Sequence, residues 1–262
     1  MTQNIFHKKV RITGDLVFKT AFHIGSGKEG EMSSDMGVLL DPDGTPLLPG
    51  SSLKGSFRTF AERLAPHLGL TACLLDTDLS GVDCVSDQNV RQSIYETFKA
   101  LSTEREKISW LKEHTCSVCT LFGSPLQASR IFFSDGNLEA GGESITIRDG
   151  VCIDRDSETA RPKAKYDFEV VPRGAVFSTV IEIENPDEKE LALVAAALAE
   201  WENGFRLGGF TSRGLGQVAF LCKEVTQVDY NDTDSLLAYL VSKEMQPAGQ
   251  LLEASLKSIL TA

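Results

Sequence analysis

Four cysteines carry the plainest chemistry in this chain. Cys73 and Cys84 have ten residues between them, and after a long gap Cys116 and Cys119 form the C-x2-C pair of "CSVC". Thiolates spaced by two can reach one tetrahedral ion, and the remote pair would complete a four-coordinate structural zinc site. His114, just ahead of the pair, is a substitute ligand. Thiol–disulfide exchange, the other use of C-x-x-C, needs a thioredoxin-like strand and helix around it, and none frames this one. Cys152 and Cys222 sit in apolar, strand-like runs and read as core thiols.

A second cluster is cationic. "LPGSSLKGSFR", residues 48–58, puts Gly50, Ser51, Ser52, Lys54 and Gly55 at the mouth of a helix, with Arg58 one turn beyond the lysine. A nucleotide-binding P-loop is excluded by order, because there the lysine follows the second glycine and here Lys54 precedes Gly55. Free N–H groups at a helix start, two hydroxyls and two cations on adjacent turns still suit an anion. The alternative is a capped surface helix with solvated Lys54 and Arg58. A third cluster, "LGGFTSRGLGQV", has Gly208, Gly209, Gly214 and Gly216, which let backbone approach a ligand closely. Thr211 and Arg213 within it could bond phosphate. Its alternative is a tight packing turn between a helix and a strand.

Composition narrows the partners. At 262 residues the chain is long enough for a sizeable core, and one domain with insertions fits better than two equal ones. No run of about 20 apolar residues occurs, and the start, "MTQNIFHKKV", lacks the apolar stretch of a signal peptide. The expectation is a cytoplasmic protein with no membrane partner, whose cysteines are thiols or metal ligands rather than disulfides. A formal charge of −11 opposes indiscriminate nucleic-acid binding. From Glu182 onward 13 acidic side chains face 6 basic ones, so −7 of that charge lies there and a local basic groove elsewhere is not forbidden.

These residues need elements to position them. "VRITGDLVFKTAFHIG" alternates as a strand ending at Gly25, and residues 26–37 are a small, polar loop. "GVLLDPDGTPLLPG" reads as a hairpin turning at Asp43 and Gly44, followed by a helix burying Phe57, Phe60 and Leu64. Residues 70–130 form an irregular insertion with a helix over 90–111. "IFFSDGNLE" reads as strand and turn, and the polar stretch 143–172 reads as an excursion from the core. A further strand, "VFSTVIEIE", precedes a helix that starts near Asn185 or Asp187, stops at Gly204 and buries Leu191, Val194, Leu198 and Trp201. A last strand and C-terminal helices follow. The pattern is α+β, and a ferredoxin-like arrangement fits it only with some forgiveness of order.

Several stretches together resemble a known family: "HIG" at His23 to Gly25, "SSDMGVLLD" with Asp35, "LPGSSLKGSFR", "CSVCTLFG", "VCIDRDSETARPKAKYDFEVVPRG" and "LGGFTSRGLGQV". In that order they resemble the RAMP superfamily, and within it the Cas-seven-like backbone subunit of type III CRISPR effector complexes. The resemblance implies an RRM-like palm over residues 1–225. It also implies zinc-bearing fingers inserted at about 70–130, a thumb hairpin at 143–172 and a helical extension over 226–262. It further implies copies stacked along a guide RNA, with other effector subunits and a target RNA paired to the guide.

The resemblance also distributes roles. Asp35 falls where the family's target-cleaving aspartate lies; it would accept a 2′-hydroxyl proton or help hold a divalent ion, magnesium by preference, beside a nucleotide splayed out by the thumb. The alternative is an ordinary loop aspartate. His23 and Gly25 would contact RNA, though a lone histidine at a strand end is commonly a packed structural residue. Arg155 and Arg161 would touch the guide from the thumb, or merely pair with Asp154 and Asp156. Three other readings stay open: a RAMP subunit that grips RNA without cutting, a repeat-processing endoribonuclease leaning on His23, and a zinc-bearing structural protein without RNA.

Overall fold

A computed structural model describes residues 5–28, 34–74, 84–86 and 91–261. Parts of the expected polar loop, including Ser33, and of the insertion before residue 91 lie outside the described residues.

One strand organises the rest. β1 (Lys8–Phe18) alternates as its sequence requires, burying Val10, Ile12, Leu16 and Phe18 while the intervening side chains stay partly open. It ends at Phe18 rather than Gly25; residues beyond make only single bridges, Phe22 to Val171 and Gly25 to Val38. β1 pairs antiparallel with β6 (Val176–Glu184) on one side and β8 (Gln217–Asp229) on the other. The short β2 (Ile131–Phe133) and β3 (Asn137–Ala140) both lie against β6, and β7 (Phe205–Arg206) and β9 (Gln246–Pro247) against β8, giving the order β2-β6-β1-β8-β7 along the sheet. A register shift falls at Thr13 and Gly14, and glycine suits the second position because a Cβ there would stand 2.4 Å from the Phe220 ring.

α1 (Gly50–Leu64) and α5 (Glu188–Asn203) pack together over this sheet, with Phe57 edge-on to Trp201 at 4.9 Å and Trp201 stacked on Phe205 at 4.5 Å. α5 begins at Asp187, whose carboxylate caps the Glu190 amide while Glu190 returns a bond to the Asp187 amide. Its apolar face is wider than the expected stripe and takes in Ala192, Leu193 and Ala195, because α1 and the C-terminal helix (Leu251–Leu260) both pack on it. Strand β8 runs past residue 225, and Ala248 and Leu252 beyond it join the main core.

The insertion holds α2 (Arg91–Ala100), α3 (Glu104–Glu113) and α4 (Ser117–Phe122). The expected single helix over 90–111 is two, since Thr103 and Glu106 form a capping box that starts a new helix after Leu101 and Ser102. Residues 143–172 form a separate two-stranded hairpin, β4 (Thr146–Ile153) and β5 (Ala160–Val170). β4 is exposed along nearly all its length, whereas β5 sinks into the body from Phe168 to Val170. The exposure overturns the core assignment of Cys152, which lies at the surface on β4; Cys222, on β8, is half-buried.

A buried ion pair ties the insertion to the sheet's helices. Arg130 bonds the Glu190 carboxylate and the carbonyl of Asn185 at 2.7 Å. Burial pushes the Glu190 carboxyl above its ordinary value, and Arg130 pulls the other way. Arg130→Met should therefore cost about 3–5 kcal/mol in urea unfolding, because it strands a buried carboxylate. Combining it with Glu190→Leu should recover most of that loss, less about 1 kcal/mol for the missing cap.

Candidate functional site

The inner half of β5 gathers the site. Its sequence, "YDFEV", alternates, so Tyr166, Phe168 and Val170 share one face while Asp167 and Glu169 take the other. The chain around Asp35 lies along the β5 edge as an added parallel bridge between Met36 and Phe168. Asp35 and Asp167 hold each other reciprocally: the Asp35 amide donates to Asp167 Oδ1 at 2.7 Å, and the Asp167 amide donates to Asp35 Oδ2 at 3.0 Å. The Glu169 amide donates to the Met36 carbonyl, and the buried Glu169 carboxylate accepts the Val38 amide at 3.0 Å. Asp35 itself stays exposed. A carboxylate at the surface is thus tied by backbone bonds to a strand edge, an arrangement that would suit a positioned base or a ligand to a hard cation.

His23 enters the same neighbourhood from inside. It is only 6% exposed, its Nδ1 lies 2.7 Å from the Glu169 carbonyl, and its ring stands edge-on to Phe168 and Phe210. A Cβ on Gly25 would sit 3.0 Å from His23 Nε2. The side chain expected to contact RNA is packed against Phe168 and Phe210, and the His23 backbone carbonyl holds the glycine-rich loop. The Gly209 amide donates to the His23 carbonyl at 2.7 Å, and at Gly208, with φ of 93°, a Cβ would meet that oxygen at 2.4 Å. Residues 211–213 then turn outward, leaving Thr211 half-buried and Arg213 exposed. Arg213 Nη1 donates to the Tyr166 hydroxyl at 2.5 Å. At the hairpin's far end Arg161 pairs with Asp154 at 3.2 Å, and Arg155 is exposed beside it.

The mouth of α1 is built differently from expectation. No serine caps it: the cap is Pro49, and the Gly50 amide donates to Asp135 Oδ1 at 2.6 Å, so a carboxylate of this chain meets the helix's positive end. Gly50 is glycine because a Cβ there would stand 2.5 Å from the Phe133 carbonyl. Lys54 is turned inward, donating to Ser129 Oγ at 2.6 Å and to the Ile131 carbonyl, and burial followed by the neighbouring Arg58 lowers its ammonium pKa. Arg58 is turned inward too, pairing with Glu62 at 2.8 Å and donating from Nη2 to Cys119 Sγ at 3.1 Å. Of the four side chains expected to grip an anion here, Lys54 and Arg58 are turned inward, and the exposed Ser51 and half-buried Ser52 are left outside these contacts.

The cysteines converge as their spacing anticipates. The sulfurs of Cys73, Cys84, Cys116 and Cys119 all lie within 4.8 Å of one another, and Cys73 and Cys119 are 3.6 Å apart. A tetrahedral ion with metal–sulfur bonds of about 2.3 Å separates its ligands by about 3.8 Å, so the group fits one thiophilic ion. Cys116 caps α4 and Cys119 lies in its first turn, where the Cys119 amide points at Cys116 Sγ at 3.4 Å. Hydrogen bonding with Cys116 and Cys73 draws the Cys119 thiol down to about 7, and bonding with Cys116 holds Cys84 lower still, while Cys116 is pushed up by Cys119. Metal binding requires such thiolate character. His114 stands aside, its ring stacked on Trp110 at 4.1 Å and its Nδ1 on the Trp110 carbonyl.

Asp167, Glu169, Tyr166 and Phe210 border the candidate site without standing out in the sequence; the alternation in "YDFEV" is the local signal for the first three.

Residues 15–219 match the model of the RAMP superfamily. The chain is 27% identical over 241 residues to a protein of Enterococcus italicus named CRISPR system Cms endoribonuclease Csm3, covering 87% of this chain and 97% of that one. A protein of the same name from Methanothermobacter thermautotrophicus is 26% identical over 248 residues, 82% of this chain and 84% of the relative. A solved chain of a type III-B Cmr-beta complex in its apo state shares the fold with a TM-score of 0.54 at 14% identity, over 81% of this chain and 96% of that one.

Titrating the reduced protein with Co2+ should produce thiolate charge-transfer and tetrahedral absorption saturating near about one equivalent. Cys84→Ser should abolish the tetrahedral spectrum, and an unchanged spectrum in that variant would contradict a four-sulfur site.

Proposed function

The chain belongs to the RAMP superfamily, and from that premise we propose that it is a guide-RNA-binding backbone subunit of a type III CRISPR effector complex that cuts the paired target RNA at Asp35. The observation carrying this reading is that two relatives matched over more than four fifths of the chain bear the name of a CRISPR endoribonuclease. In this reading β1, α1, β2, β6, α5 and β8 are an RRM-like palm, supported by their βαββαβ chain order and sheet order β2-β6-β1-β8. The insertion before β2 is the fingers, with zinc in the four-cysteine group, and the β4–β5 hairpin is the thumb. Partners are the guide, the target, further copies of this chain and other effector subunits, in the cytoplasm. No helix among the described residues is long and apolar enough to cross a membrane.

Backbone contact falls to the outward residues: Ser51, Ser52, Gly209, Thr211 and Arg213 on the body and Arg155 and Arg161 on the thumb. His23, Gly25, Lys54 and Arg58 act beneath the surface, shaping those contacts. Internal RNA cleavage needs the 2′-hydroxyl in line with the adjacent phosphate, and a stacked strand disfavours that geometry. The hairpin parts the strand locally, at a cost of a few kcal/mol for one unstacked nucleotide. Asp35 Oδ2 is engaged by the Asp167 amide, which orients the carboxylate and leaves Oδ1 to accept the hydroxyl proton. Asp167 likewise keeps one oxygen outside the reciprocal bonds. In the alternative role, Asp35 Oδ1 and the free Asp167 oxygen would instead be protein donors to Mg2+, which when bound would neutralise phosphate charge.

In the assembled complex Asp35→Ala should slow target cutting by about 10²- to 10⁴-fold while guide binding is retained, the span expected for a lost general base. Gel-resolved cleavage of labelled target checks it, and undiminished cutting would move the chemistry to another residue or subunit.

A further inference from the structure

The four-cysteine group is closed on one side by residues that are not among its sulfurs. Cys119 is fully buried, yet two side chains from outside the group reach its Sγ. Arg58, two turns into α1, donates to it from Nη2 at 3.1 Å. Ser86 Oγ lies 3.2 Å from the same atom and is itself buried. A thiolate carries no proton, so toward Cys119 in that state the serine hydroxyl is the donor. The sulfurs of Cys116 and Cys84 receive backbone amides instead, from Cys119 and Cys116, each at 3.4 Å. Cys119 differs from those two in being met by side chains, one of them a cation.

Arg58 is held for this contact. Its Nε donates to Glu62 Oε1 at 2.8 Å, one turn further along α1, and both side chains are largely buried. A guanidinium is a planar fork, so fixing Nε on the carboxylate aims Nη2 in a set direction; lysine, a point charge on a flexible stem, could not serve both partners in that geometry. Beyond Arg58 and Ser86 a cleft of about 410 Å³ opens, lined by these two and by residues of the turn that follows α4. Cys119 does not line it, so the guanidinium and the hydroxyl stand between its sulfur and the open space.

Four thiolates around one divalent ion leave an excess of negative charge in a buried place, and donors to the ligating atoms spread that charge and fix the ligands' orientation. The Arg58–Glu62 pair is neutral as a whole, so what it offers the sulfur is a directed hydrogen bond rather than a bare charge. We infer that Arg58 and Ser86 are positioning residues of the four-cysteine group, holding Cys119 as a thiolate donor and screening it from competing ligands that enter by the cleft. Arg58 thus meets an anion, as the cationic motif anticipates, but the anion is a buried sulfur of this chain in place of a phosphate. The inference rests on the metal reading above and concerns residues that the reading leaves unused.

The test uses the reduced full chain loaded with Co2+, whose sulfur-to-metal charge-transfer band reports electron density on the sulfurs. A hydrogen bond lowers the energy of the sulfur lone pairs, so losing one moves the band to longer wavelength. Arg58→Met should shift it that way, speed metal transfer to a chelator and weaken Co2+ binding about 10- to 100-fold, the usual effect of removing a group that orients a ligand. Arg58→Lys should not restore the band. Ser86→Ala removes one hydroxyl and should give the same direction of shift with a smaller loss of affinity; it decides the matter if Arg58→Met melts far below wild type. A substitution that merely loosened the fold would lower affinity with the band in place, so an unmoved band in both Arg58→Met and Ser86→Ala overturns the inference whatever the affinity. Wild type giving no tetrahedral Co2+ spectrum would overturn the metal reading and this inference together.

Discussion

The reciprocal backbone bonds between the Asp35 segment and β5 are the constraint on which the site depends. Two stretches separated by 132 residues in sequence exchange an amide and a carboxylate in each direction, and Glu169 extends the same edge to Met36 and Val38. A surface aspartate on a free loop samples many positions; one pinned to a strand edge has a single place relative to everything that strand carries. Because β5 also carries Tyr166 and Phe168, and offers the Glu169 carbonyl to His23, the loop, the hairpin and the glycine turn share one frame.

Charge is used in the same economical way. The chain is acidic, yet several of its cations do not face solvent. Lys54 joins α1 to the segment leading into β2, Arg130 joins that segment to α5, and Arg58 reaches Cys119 from α1. The last contact places a positive charge on a cluster that becomes strongly negative when four thiolates hold one divalent ion. It also couples the four-cysteine group to the helix whose first amide rests on Asp135. Exposed cations stand on the hairpin and the glycine-rich turn as well as elsewhere on the surface, so positive potential can be local while the overall charge is negative.

Several features are readable from local pattern alone. Alternation gives β1 and β6, apolar spacing with an acidic cap gives α5, and a C-x2-C pair with two distant cysteines gives the metal group, because each rests on period, propensity or ligand geometry close in sequence. The capping box at Thr103 and Glu106, which splits the insertion helix, is equally local and is outweighed in a pattern reading by the apolar residues on either side. Cys152 misleads because an alternating apolar strand is taken as buried, whereas the hairpin carrying it stands clear of the core.

The direction of side chains is beyond such reading. Whether Lys54 and Arg58 point at solvent or inward depends on Ser129, Ile131 and Cys119, and whether His23 is exposed depends on Glu169, Phe168 and Phe210. Local pattern thus settles which elements form and which faces are apolar. The fold settles which cations are free, which carboxylate is pinned and where the rings meet, because those contacts join residues far apart in the chain and exist only once strand register and helix packing bring them within bonding distance.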